Sequence, residues 1–332
     1  MSPGAGSDDD PGTGPDRRTA AKRRMLIIVN PYATTVSDRL KNLVVYALQG
    51  RFEVEVEATE RQHHATEIGR DAIDGGYDLV VAFGGDGTIN EVANGLAETD
   101  IPVSFLPGGN TNVVCRTLGI PNDVVDATEH LLSLADGFEP RKIDLGRVDD
   151  RYFVFSCGTG IDATVVERVD ANPRLKARAG PYFYTWSALS GYFREYMRNP
   201  VRLEATVDGE SHQGVTALVQ NSDPFTYFSS RPVHVCENIA IDDGTLAMVV
   251  LKRANQLDLL SAVPRLLSNR MRAGSHRQVD SVGGFTEGTI RSLSTGDPGG
   301  ASAFPVQVDG DFIGRHEQVT LRAAPGALTI IA

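Results

Sequence analysis

At 332 residues the chain is long enough for about two domains and for a core that needs no disulfide or metal staples. Its 41% hydrophobic and 23% charged residues are globular values, which excludes disordered, collagen-like and disulfide-scaffold classes. A formal net charge of −11 repels phosphate backbones at long range and argues against a nucleic-acid partner.

Residues 1–24, rich in Gly, Pro and Asp with Arg17-Arg18 and Lys22-Arg23-Arg24, bury too little apolar area to fold and read as a disordered tail. No apolar segment of export-signal length follows the tandem arginines, and no run approaches the ~18 apolar residues of a membrane span. Cys115, Cys157 and Cys236 are far apart and free of C-x-x-C spacing, which suits ordinary thiols in a reducing compartment. The expected location is cytoplasmic.

Met25–Val29 reads as a strand ending in Asn30-Pro31. A helix over 37–48 places Leu40, Leu43, Val44, Ala47 and Leu48 on one face. Phe52–Ala58 alternates like a half-buried strand, and a helix over 65–74 stops at Gly75-Gly76. The apolar strand Asp78–Phe83 runs into Gly84-Gly85-Asp86-Gly87-Thr88, with a helix from about Ile89. Pro102–Leu106 is the next strand and ends at Pro107-Gly108-Gly109-Asn110. Such alternation predicts a parallel sheet covered on both faces.

After about Asp144 the texture changes. Tyr152–Ser156, Val201–Val207, Thr216–Gln220, Leu246–Leu251 and Val306–Val308 are strand-like, interrupted by helical stretches near 181–197 and 255–271. The expectation is an α/β protein: a Rossmann-like, three-layer nucleotide-binding domain over 25–145, then a β-sandwich-rich α+β domain over 146–325.

The informative segment is Gly84–Leu96. Three glycines within four residues let backbone approach a ligand with amides exposed, and a strand-to-helix junction aims those amides and the helix dipole at a phosphate. Thr88 caps the helix or bonds a phosphate oxygen; Asp86 suits a metal ion or a hydroxyl. The Gly108-Gly109 turn lies at the next strand end, so both turns line one crevice. No Walker-type G-x-x-x-x-G-K-[ST] occurs.

The unbroken Gly-Gly-Asp-Gly-Thr-Ile-Asn-Glu-Val from Gly84 to Val92, followed by Pro107-Gly108-Gly109-Asn110-Thr111-Asn112, resembles the diacylglycerol kinase catalytic-domain superfamily. That superfamily includes bacterial lipid kinases, sphingosine kinases and ceramide kinases. Asn110 stands where its Pro-x-Gly-Thr-x-Asn element has Thr, and Thr34 where a Gly is usual after Asn-Pro. The resemblance implies nucleotide contacts at Asn30, Thr59, Gly84, Gly85, Asp86, Gly87, Thr88, Ile89, Asn90, Gly109 and Asn110. Gly158-Thr-Gly160-Ile-Asp162-Ala163 is similar to its Gly-x-Gly-x-Asp-Ala element, and Ala240-Ile-Asp242-Asp243-Gly244-Thr245 to its Asp-Asp-Gly turn. That turn implies a structural Mg²⁺ held by Asp243 with Ala240 and Thr245, oxygen ligands that suit a hard cation. Val308-Asp309-Gly310-Asp311 is similar to the late Asp-Gly-Glu element, whose Glu is the general base; here that residue is Asp311. The resemblance spans about 25–330 and implies that a last strand, about 326–332, returns to the first domain.

The expected function is an ATP-dependent lipid kinase acting on a lipid alcohol, diacylglycerol foremost, with Asp86 and Asp311 as its catalytic carboxylates. Three alternatives stay open: a sphingoid- or ceramide-type kinase, a soluble NAD kinase-like enzyme, and a non-catalytic lipid- or nucleotide-binding protein. Gly158-x-Gly160-x-x-Ala163 also fits a loose dinucleotide fingerprint, without a following β-α-β unit. Over 165–205 seven Arg or Lys face four acids, and over 252–278 six face Asp258 alone. A basic side with aromatic Tyr182–Trp186 suggests peripheral contact with the inner membrane face. Trp186 equally suits plain core packing, and an isologous dimer is the base-rate oligomer.

Overall fold

The computed structural model describes residues 22–170, 201–228, 230–236, 238–253, 276–293 and 303–332. The helical stretches expected near 181–197 and 255–271, Trp186 and most of the two basic segments lie outside the described residues. Among described residues no helix is long and apolar enough to cross a membrane.

The first half is built as strand-helix alternation. Strands β1 (Arg23–Val29), β2 (Phe52–Ala58), β3 (Leu79–Gly84) and β4 (Val103–Pro107) form a parallel array in the order β2-β1-β3-β4. β1 starts two residues before the expected Met25, because Arg23 and Arg24 pair with Phe52 and Glu53 of β2; the Arg24 amide also donates to Asp78 Oδ2 at 2.7 Å. Every residue of β3 and β4 is buried, so both faces of the sheet are covered. The cover comes from helices α1 (Asp38–Leu48), α2 (His64–Asp74), α3 (Asp86–Leu96), α4 (Val113–Thr117) and α5 (Val124–Leu134).

Local chemistry sets the helix limits. Ser37 Oγ accepts from the Leu40 amide at 3.2 Å and caps α1. Its buried stripe is narrower than expected: Val44 and Leu48 are buried, whereas Leu43 stands 55% exposed. α2 and α3 cross at Gly69 and Gly95, where a Cβ on Gly95 would meet the Thr66 carbonyl at 2.7 Å. α3 starts at Asp86, three residues before the expected Ile89, because extended Gly85 serves as its N-cap. Asp86, Gly87 and Thr88 are therefore the first turn of a helix rather than a loop.

The second half is antiparallel. β7 (Ser156–Gly160), β10 (Thr216–Gln220), β13 (Leu246–Leu251), β14 (Val279–Phe285), β16 (Phe304–Val308) and β17 (Asp311–His316) make one sheet in the order β14-β13-β10-β7-β16-β17. The facing layer contains β5 (Arg141–Val148), β6 (Arg151–Phe153), β8 (Leu203–Val207), β9 (Glu210–Gly214), β15 (Glu287–Ser292) and β18 (Gln318–Ile330). Cys157, Val219, Met248 and Val306 of the first sheet meet Phe153, Ala205, Ile290 and Leu321 of the second in one core, which makes a β-sandwich. Helix α6 (Ile161–Asp170) follows β7, and a hairpin, β11 (Thr226–Phe228) and β12 (Arg231–Val233), lies apart.

β18 joins the two halves. It pairs antiparallel with β15 and β5, then reaches β4, where Ile330 lies parallel to Val103. The sheet it completes has ten strands.

Candidate active site

The two glycine turns press on each other. The Gly108 amide donates to the Gly84 carbonyl at 2.7 Å. A Cβ on Gly108 would lie 2.8 Å from Gly84 Cα, and one on Gly109 would lie 3.0 Å from Gly85 Cα. Gly108 and Gly109 are thus glycine because backbone meets backbone there, and Gly84 because a Cβ would lie 2.5 Å from Thr88 Oγ1, before any ligand is considered. Asn112 secures the second turn: its Oδ1 accepts from the Gly109 amide and its Nδ2 donates to the Gly109 carbonyl, both at 2.8 Å.

Asp86 ties the first turn to the second. Its carboxylate accepts from the Val113 and Val114 amides, each at 3.1 Å, at the N-terminus of α4. Burial raises its pKa to about 6 against the opposing pull of those two amides. The carboxylate is therefore engaged inside the fold, and Asp86 is not among the residues that line the cleft.

That cleft, of about 670 Å³, is lined by both halves of the molecule. Asn30, Thr59, Arg61, Gly87, Thr88 and Glu91 come from the parallel half; Glu167, Asp311 and Phe312 come from the sandwich. Asn30 Nδ2 donates to Thr88 Oγ1 at 3.1 Å, and its Oδ1 accepts from the Tyr32 amide at 2.9 Å, which closes the loop after β1. A Cβ on Gly87 would fall 3.3 and 3.4 Å from the two Asp311 oxygens. A carboxylate of the sandwich therefore stands beside the first turn of α3, where amides and dipole favour an anion.

Of the residues expected to touch a nucleotide, the cleft gathers Asn30, Thr59, Gly87 and Thr88. Ile89 is fully buried in the core of the parallel half. Asn110 is exposed. Asn90 turns away from the cleft: its Nδ2 donates to Asp309 Oδ2 at 2.8 Å, and its Oδ1 accepts from Arg151 Nη2 at 2.6 Å. Asn94 and Glu98 continue that face, with Asn94 Oδ1 accepting from the Tyr152 amide and Glu98 Oε1 from the Tyr152 hydroxyl, both at 2.9 Å. Asn90 and Asn94, at i and i+4 of α3, and Glu98 just past the helix end thus make a polar seam against β6.

Sequence reasoning missed Tyr32, Arg61, Gln62, Glu91, Glu167 and Phe312 in the cleft. Glu91 was findable, because it lies three residues beyond Thr88 on the same helical face. It also caps α2, accepting from the His63 amide at 2.9 Å and the Ala65 amide at 3.1 Å. Glu167 carries no local signal; it sits on α6 and pairs with Arg315 at 2.8 Å.

No residue of the 240–245 loop lines that cleft. Asp243 is exposed; its Oδ2 accepts from the Ala240 amide at 2.8 Å, and its Oδ1 from the Thr245 amide and hydroxyl at 2.9 and 2.8 Å. The buried Asp144 carboxylate accepts from the Gly244 amide at 2.6 Å and the Gly326 amide at 2.7 Å and pins the loop to β18. The loop offers oxygen donors, the type a hard divalent cation takes, and both Asp243 oxygens also accept hydrogen bonds within the loop.

Known proteins place this arrangement. Residues 24–148 match the family model described as diacylglycerol kinase catalytic domain, and residues 156–332 match the YegS C-terminal NAD kinase beta sandwich-like domain. A diacylglycerol kinase of Bacillus subtilis is 31% identical over 249 residues, 72% of this chain and 77% of that protein. One from Staphylococcus haemolyticus is 28% identical over 222 residues, covering 66% of this chain and 64% of the relative. A diacylglycerol kinase crystal structure from Bacillus anthracis superimposes with a TM-score of 0.67 at 20% identity, over 94% of this chain and 97% of that one. A further structure from that organism gives a TM-score of 0.70 at 22% identity.

Proposed function

We propose that this chain, which belongs to the diacylglycerol kinase family of ATP-dependent lipid kinases, transfers the γ-phosphoryl group of ATP to the hydroxyl of diacylglycerol, giving phosphatidic acid and ADP. The observation that carries the reading is the Asp311 carboxylate beside Gly87, at the helix terminus where a phosphate would rest. ATP lies against the 25–145 domain, with its phosphates over the amides of Gly87 and Thr88 and its remaining contacts at Asn30 and Thr59. The lipid hydroxyl enters from the 146–325 side. The hydroxyl oxygen bonds to the γ-phosphorus as the bond to the β,γ-bridging oxygen breaks; ADP leaves with that electron pair and Asp311 takes the hydroxyl proton. Positioning and charge neutralisation supply most of the rate in such transfers.

A Mg²⁺ ion at the 240–245 loop would be held by Asp243 with the carbonyls of Ala240 and Thr245, and would brace the loop rather than react. Asp86 serves by locking the two glycine turns together. The basic segments 165–205 and 252–278 bring the enzyme to anionic headgroups on a membrane face.

The test is purified protein with labelled ATP and a panel of lipid alcohols in mixed micelles. Phosphatidic acid is the expected product; labelling of a sphingoid base alone, or of no lipid, overturns the reading. Asp311→Asn is expected to lower kcat by about 100-fold or more at unchanged Tm.

A further inference from the structure

Asp311 follows a two-residue turn, and that turn is held by groups to which the proposed chemistry assigns no part. Asp309 and Gly310 both have positive φ, +48° and +87°, the backbone of a tight hairpin turn between β16 and β17. Gln307, 2% exposed, accepts from the Gly310 amide through Oε1 at 2.8 Å and donates through Nε2 to Asp162 Oδ2 at 2.7 Å. Asp162 lies in the first turn of α6. A Cβ on Gly158 would fall 1.9 Å from Asp162 Oδ2, so a glycine at 158 leaves the room that the carboxylate occupies. The Gly158-x-Gly160-x-Asp162 element therefore ends on the β16–β17 turn and has no need of a dinucleotide.

We infer that Asp162 and Gln307 form a relay that positions Asp311 for proton abstraction; this rests on the kinase reading above. Asp162 Oδ2 accepts, so Asp162 decides which end of the Gln307 amide faces it. The carbonyl end is then aimed at the Gly310 N–H, one residue before Asp311. Remove that constraint and the Gln307 amide is free to turn. The turn keeps its hold at Asp309 but loses the one at Gly310, and the Asp311 carboxylate drifts from Gly87. Misplacement on the ångström scale costs on the order of 100-fold in rate.

A swap of the two polar ends tests this. Asp162→Asn puts a neutral amide there, which can meet Gln307 with its oxygen or its NH₂ and so no longer fixes which end of the Gln307 amide faces the Gly310 N–H. Gln307→Glu sets two carboxylates together. The double variant restores every pairing: the amide introduced at position 162 donates to one oxygen of the carboxylate introduced at position 307, and the other oxygen accepts from the Gly310 N–H. We expect Gln307→Glu to lose about 10- to 100-fold in kcat and Asp162→Asn a smaller amount, with KM for ATP within about threefold, and the double variant to recover from the Gln307→Glu loss to within about threefold of wild type. Amide exchange in peptides covering 309–312 should quicken in both single variants and slow again in the double. Gln307→Glu with wild-type kcat, or a folded double variant as slow as the worse single, overturns the relay. If the wild-type protein phosphorylates no lipid, the kinase reading falls; exchange over 309–312 then decides the relay, and unchanged protection in both single variants sinks it.

Discussion

Replacing Asp309 by Asn should come close to unfolding the protein. Asp309 is 5% exposed, and its four neighbours are all donors. Oδ2 accepts from the Val154 amide at 2.6 Å and Asn90 Nδ2 at 2.8 Å; Oδ1 accepts from the Phe155 and Ser156 amides at 3.0 and 2.9 Å. Asparagine keeps one acceptor oxygen, so two donors lose a bond to charge and face an NH₂ group instead. Each such loss costs about 1.5–3 kcal/mol, and removing a buried charge gives part of it back, since burial holds the Asp309 pKa above its ordinary value. The net expectation is about 3–5 kcal/mol out of a total stability of roughly 5–15 kcal/mol. Urea unfolding followed by far-UV circular dichroism measures it. Asn90→Ala removes one of the four donors and should cost about 1–2 kcal/mol, with non-additivity in the double variant. A loss below about 1 kcal/mol in Asp309→Asn would refute the idea that four converging donors require a carboxylate there.

Asp86 has a folded pKa raised to about 6 from 3.8, so the folded state holds its proton more tightly than the unfolded chain. Its contribution to stability is full below pH 3.8 and is lost as pH rises through 6. Subtracting Asp86→Asn from wild type should expose a decline on the order of 2–3 kcal/mol between pH 4 and 7, and a flat difference would refute the assignment. Gly108→Ala drives a methyl against Gly84 Cα and Val36 Cγ2, with both gaps below 3 Å. The expected outcome is a loss of about 1–3 kcal/mol together with weakened nucleotide binding by calorimetry; wild-type affinity would mean that the two turns need not touch.

The parallel half was legible because its signals are local. Apolar runs and glycine stops placed four strands and the first helices within a few residues of their observed limits. Thr216–Gln220 and Leu246–Leu251 coincide with β10 and β13. Tertiary contacts govern what was not legible. α4 is five residues long, and its first amides are satisfied by Asp86 from another turn, so no local cap announces it. Asn90 reads as a ligand residue beside Thr88, yet its partner Asp309 lies 219 positions away. β18 was anticipated only over about 326–332, since Pro325-Gly326 looks like a break. The strand absorbs them in a register shift between Ala324 and Leu328.

The pairing of Ile330 with Val103 has a consequence for how the molecule is made. Roughly 230 residues separate the two, which at about 5–20 residues per second is on the order of 10–50 s of synthesis. Throughout that interval the rim of β4 offers unpaired amides and carbonyls to any passing strand. A nascent chain arrested near residue 150 holds both glycine turns and still displays an open, aggregation-prone border. Birth order is thus written into a strand that contributes no residue to the cleft lining.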